Sequence, residues 1–255
     1  MIATVNGIRL TYSDTGCGVP LLCLHGGMGV DAGTLHVPGI LDLAKFGVRV
    51  IIPDQRGHGQ SDRSSHSEYS HRTWAVDAHE LAGSLGLSRF ALLGHSYGGF
   101  LALEYAKRWP ESLTHLVLVA TSAGPVPVPA ANVSTDADLR RHFQSVWPRF
   151  FVGEDKHWPL FETLQFSADA YTAAFKQELP RYDLRSQVRG LEMPTLLMVG
   201  SDDPYCAHME WLAKHMPNAR LCALDGVGHF PFVEAAAQFT ERVAAFINDH
   251  PHAAV

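Results

Sequence analysis

Four short stretches of this chain carry residue types whose spacing suits acyl-transfer chemistry. In Gly94-His95-Ser96-Tyr97-Gly98 a serine stands between glycines, directly after the apolar run "FALL" and directly before a helical run. A serine in a Gly-rich turn commonly caps the helix that follows. Between glycines at a strand-to-helix junction it also fits the G-x-S-x-G elbow, which presents its hydroxyl on a strained turn. A serine hydroxyl is a weak nucleophile at its free pKa, so Ser96 needs a base, an acid to orient that base, and two N–H donors for the oxyanion. His229, in "DGVGHFPFVE", lies in a loop between the last strand and the terminal helix. A histidine ahead of aromatics is more often structural, but its place after the final strand, beside Gly228, favours the base. Between serine and histidine, "VGSDDPY" brings Asp202 and Asp203 off a strand end, in a stretch that also suits a plain turn. The other strand end, after "LVLVATS", offers only Thr121 and Ser122, so the acid comes from the Asp202–Asp203 pair. The fourth stretch, "LHGGMG" (24–29), ends a strand on a glycine pair that lets backbone approach a substrate. The N–H groups of Gly27 and of Tyr97, the residue after Ser96, are the natural oxyanion donors.

These loops need strands to carry them. "IATV", Asn6-Gly7 and "IRLTYSD" read as a hairpin. "PLLCLHGG", "VRVIIPD" (48–54), "FALLGHS", "LTHLVLVATS", "MPTLLMVGSDD" and "ARLCALDG" read as strands, "VRVIIPD" as a buried one. Helical spacing runs over Thr73–Leu85, Gly98–Trp109, "HMEWLAKHM" and "EAAAQFTERVAAFINDH". The alternation implies an α/β fold with a mostly parallel sheet covered on both faces. Residues 124–190 break it. They open with "GPVPVPA", whose prolines favour an extended linker, and go on in a helical, aromatic-rich stretch. Ten of the chain's 25 aromatics lie between Phe143 and Tyr182. Such an insertion can pack on itself or cover the carboxyl edge of the sheet, where α/β proteins bind ligands. The expected layout is a core of 1–123 and 191–255 with a helical cap of 124–190. The candidate substrate contacts are Gly26, Met28, Trp147, Phe150, Phe151, Trp158 and Phe230.

The composition narrows the partners. With 255 residues, 46% hydrophobic and 18% charged, the chain can build a sizeable core. A net charge of −6 without a basic run argues against nucleic acid. No apolar stretch approaches the length of a membrane span, and "MIATVNGIRLTYSD" lacks the features of a secretory signal, so a cytoplasmic location is expected. Cys17, Cys23, Cys206 and Cys222 form no regular framework and are expected as thiols. His66, His71 and His79 lie in a polar, loop-like stretch without metal-ligand spacing, so no metal is expected. Neither G-x-x-x-x-G-K-[ST] nor G-x-G-x-x-G occurs, which removes the nucleotide reading of the glycine loop. No cofactor is called for. Nothing in the sequence selects a monomer over a homodimer.

Over nearly its whole length the chain resembles α/β-hydrolase fold enzymes, and within them the proline iminopeptidase-like and small esterase/lactonase branch. The residues that carry the resemblance are His25-Gly26-Gly27, "DQRGHGQSD" (54–62), Gly94-His95-Ser96-Tyr97-Gly98-Gly99, Asp203 and Gly228-His229. It implies a triad in the chain order Ser, Asp, His. It implies Asp203 over Asp202, because the acid in such relatives sits three residues after the strand-ending glycine, here Gly200. It also implies that Asp54, Arg56 and His58 hold the fold. The chain departs from true proline iminopeptidases in having Met28 where they carry proline, and no motif assigns Glu154, Glu162 or Glu178 to binding an amine. Relatives that dehalogenate haloalkanes or open epoxides carry Asp where Ser96 stands. The implied activity is hydrolysis of an ester, lactone or amide of a small apolar or aromatic substrate. The alternatives are an aminopeptidase, a C–C hydrolase, lyase or perhydrolase on the same triad, or a ligand receptor on a hydrolase scaffold.

Overall fold

A computed structural model describes residues 1–65, 68–126, 131–153 and 155–249 of the chain. Eight strands, β1 (Ile2–Val5), β2 (Ile8–Thr15), β3 (Val19–Leu24), β4 (Val48–Pro53), β5 (Phe90–His95), β6 (Leu113–Val119), β7 (Thr195–Gly200) and β8 (Ala219–Leu224), form one sheet. Their order across it is β1-β2-β4-β3-β5-β6-β7-β8. The β1–β2 hairpin turns at Asn6-Gly7, both with positive φ, as an Asn-Gly turn requires. β2 pairs antiparallel with β4, and every pairing from β4 to β8 is parallel.

The period of two along the strands splits the core into two layers. On β3, Leu22 and Leu24 pack with Trp74, Leu81, Tyr105, Met209 and Leu212, beneath helices α2 (His71–Ser84), α3 (Tyr97–Arg108) and α7 (Cys206–His215). Leu21 and Cys23 face the other way, onto Ile40, Phe232, Phe239 and Val243 of α1 (Pro38–Leu41), α8 (Pro231–Glu234) and α9 (Ala236–Asn248). The helix expected at Thr73 begins two residues earlier, because the Ser70 side chain accepts the Thr73 N–H and caps it. His71 and His79, expected in a loop, are therefore helical, while His66 lies outside the described residues. The four cysteines are unpaired.

Chain connectivity places the site. From β3 the chain moves to one side to form β4, then crosses back to the other side for β5. The β3–β5 crevice is thus the point where strand order reverses, where open α/β sheets bind ligands at their carboxyl ends. Leu24 pairs with Gly94, His95 with Val119, and Gly200 with Leu224, so the loops after β3, β5, β6, β7 and β8 all leave one edge. Over that edge lies the segment between β6 and β7. It comprises α4 (Asp136–Val146), α5 (Trp158–Thr163), α6 (Ala168–Thr172) and a π-helix, Ala173–Glu178. A Thr135–Asp138 capping box starts α4. Residues 127–130 of the "GPVPVPA" linker lie outside the described residues, as does Glu154. Among the described residues no helix is long and apolar enough to cross a membrane.

Candidate active site

Ser96 follows β5 and caps α3 with φ 52° and ψ −117°, a positive-φ conformation that costs a non-glycine residue roughly 1–3 kcal/mol. The flanking glycines are there for proximity rather than for φ. A Cβ on Gly94 would run into the Gly98 carbonyl, and one on Gly98 into the carbonyls of Leu24 and His25. The elbow is held by the Ser96 N–H on Val119 O at 2.8 Å and the Thr121 hydroxyl on Ser96 O at 2.7 Å.

His229 Nε2 lies 2.9 Å from Ser96 Oγ, and its Nδ1 lies 2.7 Å from Asp203 Oδ2. With Nδ1–H directed at the carboxylate, Nε2 accepts from the serine hydroxyl. Asp203 Oδ1 takes the Tyr205 N–H at 2.7 Å. Burial pushes the Asp203 pKa upward, but His229 and the Tyr205 N–H outweigh it, leaving the carboxyl below its usual range. Asp202 is exposed and accepts only from the Ser201 hydroxyl. Of the pair, Asp203 is the one that meets the histidine.

The histidine loop is fastened on several sides. The His229 N–H donates to Phe150 O at 2.7 Å, and His95 Nε2–H donates to His229 O at 2.9 Å. Glu234 accepts the N–H groups of both Gly228 and Val152. The rings of Phe150 and Tyr205 flank the imidazole at 5.3 and 5.4 Å between centroids. The glycine loop after β3 is tied to the loop after β4. Gly29 N–H donates to His58 Nε2 at 2.8 Å, and Gln55 donates from its backbone to His25 Nε2 and from its side chain to His25 O. Burial pushes the pKa of His25 down to about 4 and those of His58 and His95 down to about 3, so all three stay neutral. Arg56 forms a buried bidentate pair with Asp77, and Asp54 accepts the N–H groups of Ala32 and Gln60.

Gly27 has φ 59°, and Gly26 packs so tightly on the elbow that a Cβ there would press on His95 O and Ser96 Cβ. Tyr97 is the first residue of α3, a position whose N–H has no partner within the helix. Gly26, Gly27, Ser96, Tyr97 and His229 share the wall of one cavity of about 330 Å³. The rest of that wall is mainly apolar, and Trp147, Phe150 and Phe230 contribute to it. Three other candidate contacts do not. Met28 is fully buried in the core layer that also holds Leu24 and Trp74, Phe151 packs behind the wall on Trp147 and Phe230, and Trp158, 38% exposed, lies outward against Phe161. Five of the ten insertion aromatics reach the cavity: Phe143, Trp147, Phe150, Tyr171 and Phe175. Sequence reasoning missed Tyr205, which both fixes Asp203 and flanks His229; its position two residues after the acid was the available signal. It also missed the lining residues His142 and Arg149. Among the described residues no three metal-ligating side chains cluster.

A model of the alpha/beta hydrolase family matches residues 21–242. The chain belongs to that family. This alpha/beta hydrolase is 30% identical to a 2-hydroxymuconate semialdehyde hydrolase of Pseudomonas putida, over 94% of this chain and 91% of the relative. It is 28% identical to a proline iminopeptidase of Lactobacillus delbrueckii subsp. lactis, over 89% of this chain and 90% of the relative. The crystal structure of an enol-lactonase from Burkholderia xenovorans LB400 superposes with a TM-score of 0.84 at 24% identity, covering 97% of this chain and 99% of that one. At that identity the likeness speaks for the fold.

Proposed function

We propose that the protein is a serine hydrolase that transfers the acyl group of a small, apolar carboxylic ester or lactone to water. The observation that carries this reading is the continuous hydrogen-bond series Asp203–His229–Ser96 at one wall of an apolar cavity. Ser96 Oγ attacks the carbonyl carbon as its proton passes to His229 Nε2, and Asp203 holds the imidazole and stabilises the imidazolium. The N–H groups of Gly27 and Tyr97 receive the oxyanion; losing one such donor typically costs about 10²–10³ in kcat. The tetrahedral intermediate collapses as His229 protonates the leaving oxygen. Water then repeats the sequence on the acyl-enzyme and releases the acid. Residues 124–190 act as the cap, supplying the aromatic wall over a core of 1–123 and 191–255.

A specific observation favours a second reading, cleavage of a carbon–carbon bond next to a carbonyl: the 30% identity to a semialdehyde hydrolase. The aminopeptidase reading has less support. No carboxylate stands among the described lining residues, Glu162 is paired with Arg140, and Glu178 accepts the His71 N–H. The test is labelling by a fluorophosphonate together with turnover of p-nitrophenyl esters, lactones, aminoacyl-arylamides and a β-diketone. Ester or lactone turnover that Ser96→Ala abolishes is the expected result. Labelling that persists in Ser96→Ala would refute the assignment of the nucleophile.

A further inference from the structure

Behind the elbow, the side chain of Tyr97 runs away from the cavity into a polar cluster that the acyl-transfer scheme does not use. Its hydroxyl lies 2.6 Å from His71 Nε2 and donates to Ala174 O at 3.3 Å. The hydroxyl thus bonds His71 Nε2 on one side and Ala174 O on the other, while Glu178 Oε2 stands 3.7 Å from His71 Nδ1. His71 is the first residue of α2, and its backbone N–H donates to Glu178 Oε2 at 2.8 Å. Its ring also stands edge-on to Tyr182, at 5.1 Å. Burial keeps the ring neutral.

Ala174 and Glu178 belong to the π-helix Ala173–Glu178, a rare geometry that is frequent at functional sites. That helix carries Phe175, and Leu179 follows it; both line the catalytic cavity. One buried histidine thus grips the residue that follows the nucleophile and the cavity wall opposite it.

We propose that His71 is a positioning residue: through the Tyr97 hydroxyl it holds the Tyr97 N–H and the 173–179 wall in register as one unit. The inference rests on the acyl-transfer reading, in which the Tyr97 N–H binds the oxyanion. Displacing that N–H should reduce the chemical step by about tenfold, less than the 10²–10³ of losing a donor outright. KM for a short-chain ester, too small to touch Phe175, should hold steady.

The experiment is a double-mutant cycle of His71→Leu and Tyr97→Phe, with His71→Gln as the conservative variant and thermal melting of each. Both single variants should lose about tenfold in kcat, and the double variant should be no worse than either, because the two side chains act through one bond. His71→Gln, which places an amide near the Nε2 position, should recover part of the loss. Variants with lowered Tm but unchanged kcat would overturn the proposal, as would losses that multiply in the double variant. Tyr97→Phe removes one oxygen atom only, so it keeps the test alive if His71→Leu fails to fold. Fluorophosphonate labelling of the wild type separates the two failures. An unlabelled wild type refutes the acyl-transfer reading and this inference with it, whereas a labelled wild type with unmoved kcat in the variants refutes this inference alone.

Discussion

Replacing Asp203 by asparagine tests the site most sharply, because the surroundings dictate how the amide must sit. Asp203 Oδ1 accepts the Tyr205 N–H, so the asparagine must keep its oxygen at that position. Its NH₂ group then faces His229 Nδ1, where Oδ2 now lies at 2.7 Å. An NH₂ group only donates, so Nδ1 must become the acceptor and Nε2 must carry the proton. Nε2–H then points at Ser96 Oγ and cannot take the serine proton. The corresponding change in the serine-protease triad lowers kcat by about 10⁴, or roughly 5.4 kcal/mol at 1.36 kcal/mol per decade. The geometry here leaves the amide no other orientation, so a loss of similar size is expected in kcat and in the fluorophosphonate labelling rate. Asp202→Asn, at an exposed carboxylate bound only to Ser201, should change kcat less than about twofold. Stopped-flow labelling and ester turnover near pH 7.5 would measure both. Reversed effects, or an Asp203→Asn loss under tenfold, would refute the argument.

The insertion aromatics should divide by function. Phe161→Ala, at a fully buried residue packed on Trp147 and Phe166, should cost about 3–5 kcal/mol and lower Tm by about 6–20 °C. Phe150→Ala should instead shift kcat/KM between short and bulky esters with little change in Tm; its backbone carbonyl still holds His229. Arg56→Ala strands the buried Asp77 carboxylate and should destabilise by about 3–5 kcal/mol in chemical denaturation. Burial and neighbouring Asp54 raise the Asp31 pKa to about 6, so the fold favours the protonated acid. Stability is therefore lost as pH rises from about 4 to 6. Asp31→Asn, which can still cap Gly33, should raise Tm above pH 6 and do little below pH 4, as calorimetry across that range would report.

What the sequence revealed was local. A serine between glycines at a strand end, a glycine pair after β3 and a histidine after the last strand each announce a loop at one edge, and parallel strands align those loops. The legible strands also match the observed ones closely: β3 to β7 are mainly buried and read as short apolar runs, while the edge strand β8 is largely exposed. Side-chain direction within the insertion was not legible. Phe150 and Phe151 are neighbours in sequence, yet only the first reaches the cavity, because the 3-10 turn Trp147–Phe150 ends between them. Met28 stood among the candidate substrate contacts as a residue of the glycine loop. It lies inside the turn closed by the Val30 N–H on Gly27 O, and its side chain is buried. His71 was weighed only as a metal ligand, because the role proposed for it depends on Tyr97 and Glu178, 26 and 107 residues away.

The many histidines make sense on the same grounds. An imidazole with one N–H and one lone pair can join a carbonyl to a backbone N–H, or a carbonyl to nothing, without carrying charge. His58 does the former, donating to Arg56 O and accepting from Gly29; His25 does the same between Gly26 O and Gln55. His95 donates to His229 O and leaves its Nδ1 without a partner in the described structure. Each of these rings bridges loops that leave different strands, and burial holds each one neutral. A lysine or arginine in those places would bring a charge into the interior beside the oxyanion loop, and an asparagine would be too short to span the same gap. The loops of the site are thus locked to one another by uncharged joints. His229 differs from those joints in having a carboxylate on one nitrogen and a serine hydroxyl on the other. That pairing, and not histidine content, is what the proposed role of His229 as the base rests on.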